Sequence, residues 1–293
     1  MKFSIKYIGQ ILLTTFLLNC FHPGIFSQGT HVAEVRRPGM FAGLSLEPSR
    51  TDIINEGTLS GSSSSKKNTF SGSAELGYFF SSYFGLSSGI GFNSYKTELT
   101  LETYRNTEPG IKDSQGVTYI RKDTINNISE LQKISSIRIP IYLNFRLPFN
   151  ERIGMFLQTG SILAVPVNKN YKTDGYFTYG GYYPDYNITL YGLSEHGFPI
   201  DTLSHSKGEL KLKPFGFSLI VSAGFDFFIK ENMQIGISAC YNKSLSNISG
   251  YSSSDKIQLT SSTAYQLNSF MGGSSKVTTQ SMGLKIIFRY YLK

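Results

Sequence analysis

From Ile137 to Leu147 every second residue is hydrocarbon: Ile137, Ile139, Ile141, Leu143, Phe145 and Leu147. Between them stand Arg138, Pro140, Tyr142, Asn144 and Arg146. Successive side chains point to opposite faces of a strand, so this stretch has one purely apolar face and one that carries two guanidinium groups. The turn "PFNE" follows, and a second strand of the same kind covers residues 153–163. Residues 38–47, 70–80, 84–96, 215–229, 232–242 and 281–293 repeat the pattern. Each segment is close to the ten residues that a tilted strand needs to cross a bilayer.

The connections alternate as regularly as the strands. "SSY", "PFNE" and "KEN" are tight turns, whereas residues 47–69, 97–130, 166–212 and 244–279 are long polar stretches. Lipid offers nothing to hydrogen-bond an open strand edge, so membrane strands must close into a ring. An even number of strands with short turns at one end and long loops at the other is the arrangement of an outer-membrane barrel. A soluble β-sandwich also alternates faces. Against it, the face opposite the hydrocarbon is rich in Gly and Ser, as a narrow lumen requires. Tyr and Phe also gather at strand ends (Tyr78 to Phe80, Phe227, Phe228, Tyr290, Tyr291), where an interfacial girdle belongs. The expected fold is all-β: an eight-stranded, antiparallel, up-and-down transmembrane barrel over residues 38–293, with short periplasmic turns and four long extracellular loops. One segment reads differently. "TINNISELQKI" places apolar residues at every third position and suggests a short turn of helix.

Composition supports a turn-rich β protein: 16% of residues are charged and 14% aromatic. Residues 1–27 read as a secretory signal, with Lys2 and Lys6 before an apolar core and Ser27 at the cleavage point. Residues 28–37 would then be a periplasmic lead-in. Removing the signal lowers the formal charge from +8 to 26 − 20 = +6, and the bases are scattered, which excludes a nucleic-acid partner. Only Cys240 remains, so no internal disulfide forms. No metal-ligand spacing, phosphate loop or nucleophile elbow occurs, so no cofactor is expected.

On the inward face stand Glu47, Glu75 and Asp226 with Arg138, Arg146, Lys285 and Arg289. A barrel of eight strands is filled by side chains, so these charges are expected to neutralise one another as a structural plug. Counting from the turns places Arg146, Arg289 and Asp226 in one periplasmic layer, with Glu75 and Lys285 above it and Arg138 and Glu47 higher. His196, His205, Glu195, Asp201 and Ser204 share the third loop, but their spacing is not that of a hydrolase, and they read as exposed polar residues. In "YKTDGYFTYGGYYPDYNITLYG", Tyr176, Tyr179, Tyr182, Tyr183 and Tyr186 could form a recognition surface. They also read as part of strands that continue beyond the membrane as a Tyr-laced hairpin.

The "IRIPIYLNF" strand with its tight turn and following strand, together with the closing "GLKIIFRYYLK", resembles the PorT-like outer-membrane β-barrels of Bacteroidota. Ile139 to Ile141 is the most specific element. The resemblance implies an outer-membrane barrel in a Gram-negative bacterium and brings no catalytic motif. The expected role is therefore non-enzymatic: a closed barrel acting as a surface, structural or binding protein through its outer loops. Its surroundings would be outer-membrane lipids and a protein partner in the envelope. Two alternatives follow, an accessory of a type IX-like secretion machine and a membrane-embedded hydrolase.

Overall fold

The structure, a computed structural model, describes residues 38–57, 62–193, 198, 200, 202–251, 259–261 and 266–292. The signal segment 1–27, the lead-in 28–37 and the loop residues Glu195, His196 and Asp201 lie outside the described residues. In chain order the strands are β1 (Gly39–Gly57), β2 (Ser63–Phe79), β3 (Phe84–Lys112), β4 (Thr118–Pro148), β5 (Ile153–Tyr183) and β6 (Ile188–Leu190). There follow β7 (Thr202–Glu209), β8 (Gly216–Lys230), β9 (Met233–Ser244), β10 (Leu259–Ser261), β11 (Gln266–Leu267) and β12 (Ser274–Tyr291).

Eight strands form a closed antiparallel ring in the order β1, β2, β3, β4, β5, β8, β9, β12 and back to β1. Each follows its neighbour up and down the wall, as the alternating connections predicted. The outward faces carry exposed hydrocarbon: Leu44 and Leu46 on β1, Leu76 on β2, Ile90 and Phe92 on β3, Ile137 to Leu143 on β4. The same band continues through Val165, Leu219, Ile237 and Leu284. Exposure of so much apolar surface is tolerable only in lipid. At the short-turn end Tyr78 packs edge-on to Phe80 at 5.4 Å, Phe80 on Phe84 at 5.9 Å, and Phe84 on Phe145 at 5.3 Å, building an aromatic belt. Side chains set the turns: Ser81 Oγ accepts from the Tyr83 and Phe84 amides, and Asn150 Oδ1 from those of Arg152 and Ile153. The ring is tight enough that a Cβ on Gly224 would come within 2.0 Å of the Ile237 carbonyl oxygen on β9.

At the other end, much of what the sequence presents as loop is strand. β3 and β4 pair without a break in direction to Lys112 and Thr118, and β5 runs to Tyr183. The "TINNISELQKI" helix does not form, because residues 124–134 belong to β4. Its three-residue spacing has a different origin. Asn127 adopts a left-handed φ of 52°, and the β4–β5 register shifts between Asn126 and Ser129. This bulge lets Ile125 and Ile128 face the same side despite an odd spacing. Above the membrane β8 no longer accompanies β5, and β7 takes its place from Asn170–Glu209 to Phe177–Thr202. A sheet of β3, β4, β5 and β7 thus stands above the barrel. A short helical turn, Phe270–Gly273, folds back beneath it into the mouth.

Ile141→Arg should destabilise the barrel by about 2–4 kcal/mol, because it puts a charge on the lipid-facing wall. Leu203→Arg, equally exposed but on β7 above the hydrocarbon band, should cost less than about 0.5 kcal/mol. Heat-modifiable gel mobility of refolded protein in detergent–lipid mixtures would compare them, and equal losses would contradict this placement of the membrane.

Candidate functional site

The inward face of the membrane-level strands is polar, and its groups bond to one another at three heights. At the top, Arg138 grips Glu47 through two hydrogen bonds of 2.8 Å, and Lys285 Nζ lies 3.4 Å from the same carboxylate. Planar bidentate pairing of this kind fixes both side chains. At mid-height Lys285 Nζ donates to Gln158 Oε1 at 2.7 Å while lying 4.5 Å over the Tyr142 ring. Gln158 Nε2 in turn donates to Asn144 Oδ1 at 2.9 Å and to Glu75 Oε2 at 3.3 Å. Arg289 joins the same cluster, with Nε 3.3 Å from Glu75 and Nη2 3.0 Å from Asn144 Oδ1. At the periplasmic end the Arg146 guanidinium lies 3.5 Å over Phe79 and donates to the Tyr291 hydroxyl at 3.0 Å. Tyr291 donates to Gln234 at 2.6 Å, and Gln234 Nε2 donates to Asp226. Tyr142, Ile162 and Ile220 add an apolar wedge between the polar layers.

All seven charged residues expected inside are there and buried, none more than 5% exposed. Arg138 and Glu47 meet at the top as their heights implied, but two other partners differ. Arg289 reaches up to Glu75 rather than staying in a layer with Asp226, and Lys285 reaches Glu47. Strand parity decides which face a side chain takes. Strand stagger and the length of Arg and Lys decide which level its head group reaches.

Above the membrane the interior becomes apolar. Ile53, Tyr95, Ile134, Tyr171, Leu210, Ile248, Met271 and Val277 form one cluster, and Leu99, Leu101, Ile125, Ile128, Phe177, Tyr179 and Phe270 a second above it. Phe270 and Met271 come from the loop before β12, and both are fully buried. One carboxylate ties that loop down. Glu130 accepts from Gln132 Nε2 and Ser269 Oγ on one oxygen, both at 2.7 Å, and from Thr173 Oγ1 at 2.7 Å and the Phe270 amide at 2.9 Å on the other. Burial, the largest influence, pushes the Glu130 carboxyl above its ordinary value, although the four donors pull the other way. Nothing in the sequence signalled this clasp. Glu130 lies beside a bulge, and its partner loop is 139 residues away.

The tyrosine segment is divided by strand parity. Tyr176 is exposed on the outer wall and Tyr186 is exposed in the turn Pro184–Tyr186, while Tyr182 is half-buried with Lys122 Nζ 4.8 Å over its ring. Tyr179 and Tyr183 face inward and are buried, so they do not belong to a recognition surface. Tyr183 stacks on Tyr119 at 5.3 Å and donates to Asp113 at 3.1 Å. Of the third-loop residues read as exposed polar groups, His205 is exposed and pairs with Asp174 at 2.5 Å on the outer wall. No group of residues capable of holding a metal ion occurs among the described residues.

Residues 29–250 match the model of the outer membrane protein beta-barrel domain. The chain belongs to that family. The barrel therefore lies in the outer membrane of a Gram-negative bacterium, with lipid around its wall. Among solved structures it is similar to the outer membrane protein OprG from Pseudomonas aeruginosa, with 11% identity and a TM-score of 0.37, covering 88% of this chain and 97% of that one. Neisserial surface protein A matches at 9% identity and a TM-score of 0.36, covering 87% and 97%. Ail of Yersinia pestis, solved in complex with the heparin analogue sucrose octasulfate, matches at 11% and 0.31, covering 86% and 99%. No curated protein sequence matches the chain.

One substitution probes the interior and a second the outer wall. Glu47→Ala leaves Arg138 and Lys285 buried without their shared carboxylate and should cost about 3–5 kcal/mol. Glu98→Ala breaks a half-exposed pair with Lys67 on the outer wall and should cost about 0–1 kcal/mol. Urea unfolding in lipid vesicles would measure both.

Glu130→Ala should leave the barrel folded but free the mouth plug formed by Phe270 and Met271, at about 1–3 kcal/mol for the donors left unsatisfied. Limited proteolysis should then cut near residues 269–273. Because the folded form holds the Glu130 proton more readily than the unfolded chain, the native plug should resist cleavage better as pH falls from 7 toward the ordinary carboxyl range. Glu130→Gln should remove that dependence.

Proposed function

We propose that this barrel is a non-enzymatic surface protein that acts through the sheet projecting above the membrane, with its lumen permanently closed. One observation carries the reading: the interior is filled at every described level. Arg146, Phe79 and Tyr291 occupy the base, the ion-paired residues fill the middle, and Phe270 and Met271 occupy the mouth. A solute has no route through, and the buried charges answer one another rather than a substrate. What remains available is the outer surface, where Tyr186, Ile188, Tyr191, Ile200 and Leu203 expose apolar area around β6 and β7. Exposed aromatic and aliphatic groups on a rigid sheet suit contact with another macromolecule.

The likeness of Ile139–Pro140–Ile141 and the closing strand to PorT-like barrels of Bacteroidota would add a role in protein export. That role would use periplasmic contacts rather than the projecting sheet, so one experiment separates the two. A photo-crosslinking residue placed at Tyr186 or Ile188 should give adducts on intact cells, and one placed at Asn150 or Ser82 should not. Adducts at the short turns alone would favour the export role. The native protein in planar bilayers should show no steady conductance, and a stable open channel would overturn the closed-lumen reading.

A further inference from the structure

The outer wall above the hydrocarbon band carries a line of lysines across four neighbouring strands. Lys96 on β3 stands directly opposite Lys133 on β4. Lys133 stands opposite Asn170 on β5, which puts Lys172 diagonally beside it, and Lys172 stands opposite Lys207 on β7. All four point outward, since the residues flanking each along its strand, such as Tyr95 and Thr97 or Tyr171 and Thr173, are buried inside. Directly opposed side chains sit about 5 Å apart at Cβ and diagonal ones about 7 Å, so the line is roughly 17 Å long.

Like charges placed directly opposite one another destabilise a sheet, and here two such pairs adjoin. Local carboxylates offset them only in part. Glu98 is held by Lys67 and by Ser129 Oγ at 2.9 Å. Asp174 is shared between Lys172 at 3.6 Å and His205 at 2.5 Å. Glu209, opposite Asn170, lies two residues beyond Lys207 on the same face of β7 and forms no ion pair with it. Lys96, Lys133 and Lys207 have no salt-bridge partner among the described residues.

The height of the line selects its ligand. Lys96 follows the last lipid-facing residue of β3, Phe92, by four positions, and Lys133 precedes that of β4, Ile137, by four. Lys172 follows Val167 by five, one of which is taken up by the register shift at Ser135 and Ser136. Lys96, Lys133 and Lys172 thus each stand about four residues beyond the end of the hydrocarbon band on their own strand. Four residues span about 13 Å of strand, or about 10 Å of height at a barrel's tilt. Lysines at that level reach down into the headgroup layer.

We propose that Lys96, Lys133, Lys172 and Lys207 form a binding site for the phosphorylated sugar headgroup of an outer-leaflet glycolipid, each opposed lysine pair facing one phosphate. The site needs no opening of the barrel and is independent of the proposed role of the projecting sheet.

The test uses the full-length protein, refolded into phosphatidylcholine nanodiscs doped with a diglucosamine lipid bearing two phosphates, its dephosphorylated counterpart, or neither. Lipid retained on re-extraction into mild detergent is counted by native mass spectrometry. The native protein should retain the bisphosphorylated lipid and not the dephosphorylated one. At roughly five-fold per lysine, Lys96→Gln, Lys133→Gln and Lys207→Gln together should weaken retention on the order of 100-fold at low salt. Substituting Lys112, Lys213 and Lys230 by Gln should change it little. These are exposed side chains, and unchanged heat-modifiable mobility would show that each variant folds. Equal retention by the native and triple-substituted barrels, or of both lipids, would overturn the proposal. So would displacement of the lipid by millimolar inorganic phosphate, which would identify a site for the free anion instead.

Discussion

Backbone hydrogen bonding in lipid is the constraint from which the rest follows. Every N–H and C=O at membrane depth must find a partner within the chain. The pairing of β1 with β12 at one seam and of β4 with β5 at another leaves no edge in the ring. Closing with only eight strands brings the walls so near one another that side chains must fill the interior. Where strands approach most closely only glycine fits, as at Gly224 against Ile237. A ring without edges leaves Pro140 no edge position. A proline inside a sheet removes a ladder hydrogen bond and is usually confined to edges. Here it sits mid-wall, and the Ser88 hydroxyl donates to its carbonyl at 2.8 Å.

A filled interior could have been apolar, yet at membrane depth it is charged. The outward face is already largely hydrocarbon, so an apolar lumen would leave little to tell the two faces of a strand apart. With Arg138 and Glu47 inside, a one-residue slip of β1 or β4 would turn a charge toward lipid. The buried ion pairs thus bear on register more than on net stability, which such pairs rarely improve by themselves. Above the membrane the logic inverts. The outer wall there meets water and headgroups and carries Lys, Asp and His, and the inner face becomes the apolar clusters around Phe177 and Met271. Glu130 stands within those clusters as the anchor of the mouth loop.

The alternation of residues by itself determined the strand number, the direction of each strand, the inward and outward faces at membrane depth and the membrane address. Lipid imposes a strict period of two, and a period is a local property. Hence Glu75, Asp226 and Arg289 could be placed inside from their positions alone. Only the tertiary structure decided which charges meet, because stagger between strands and the reach of long side chains set the level of each head group. It also decided the fate of the outer segments, where no lipid enforces the pattern. There a left-handed Asn127 shifted the phase of β4, and strand pairing absorbed residues that read as loop or helix. Tyr179 and Tyr183 were drawn inside, and Phe270 came to rest on a carboxylate 140 residues away in the chain. Such contacts join segments whose separate patterns carry no information about each other, so they exist only once the ring has closed.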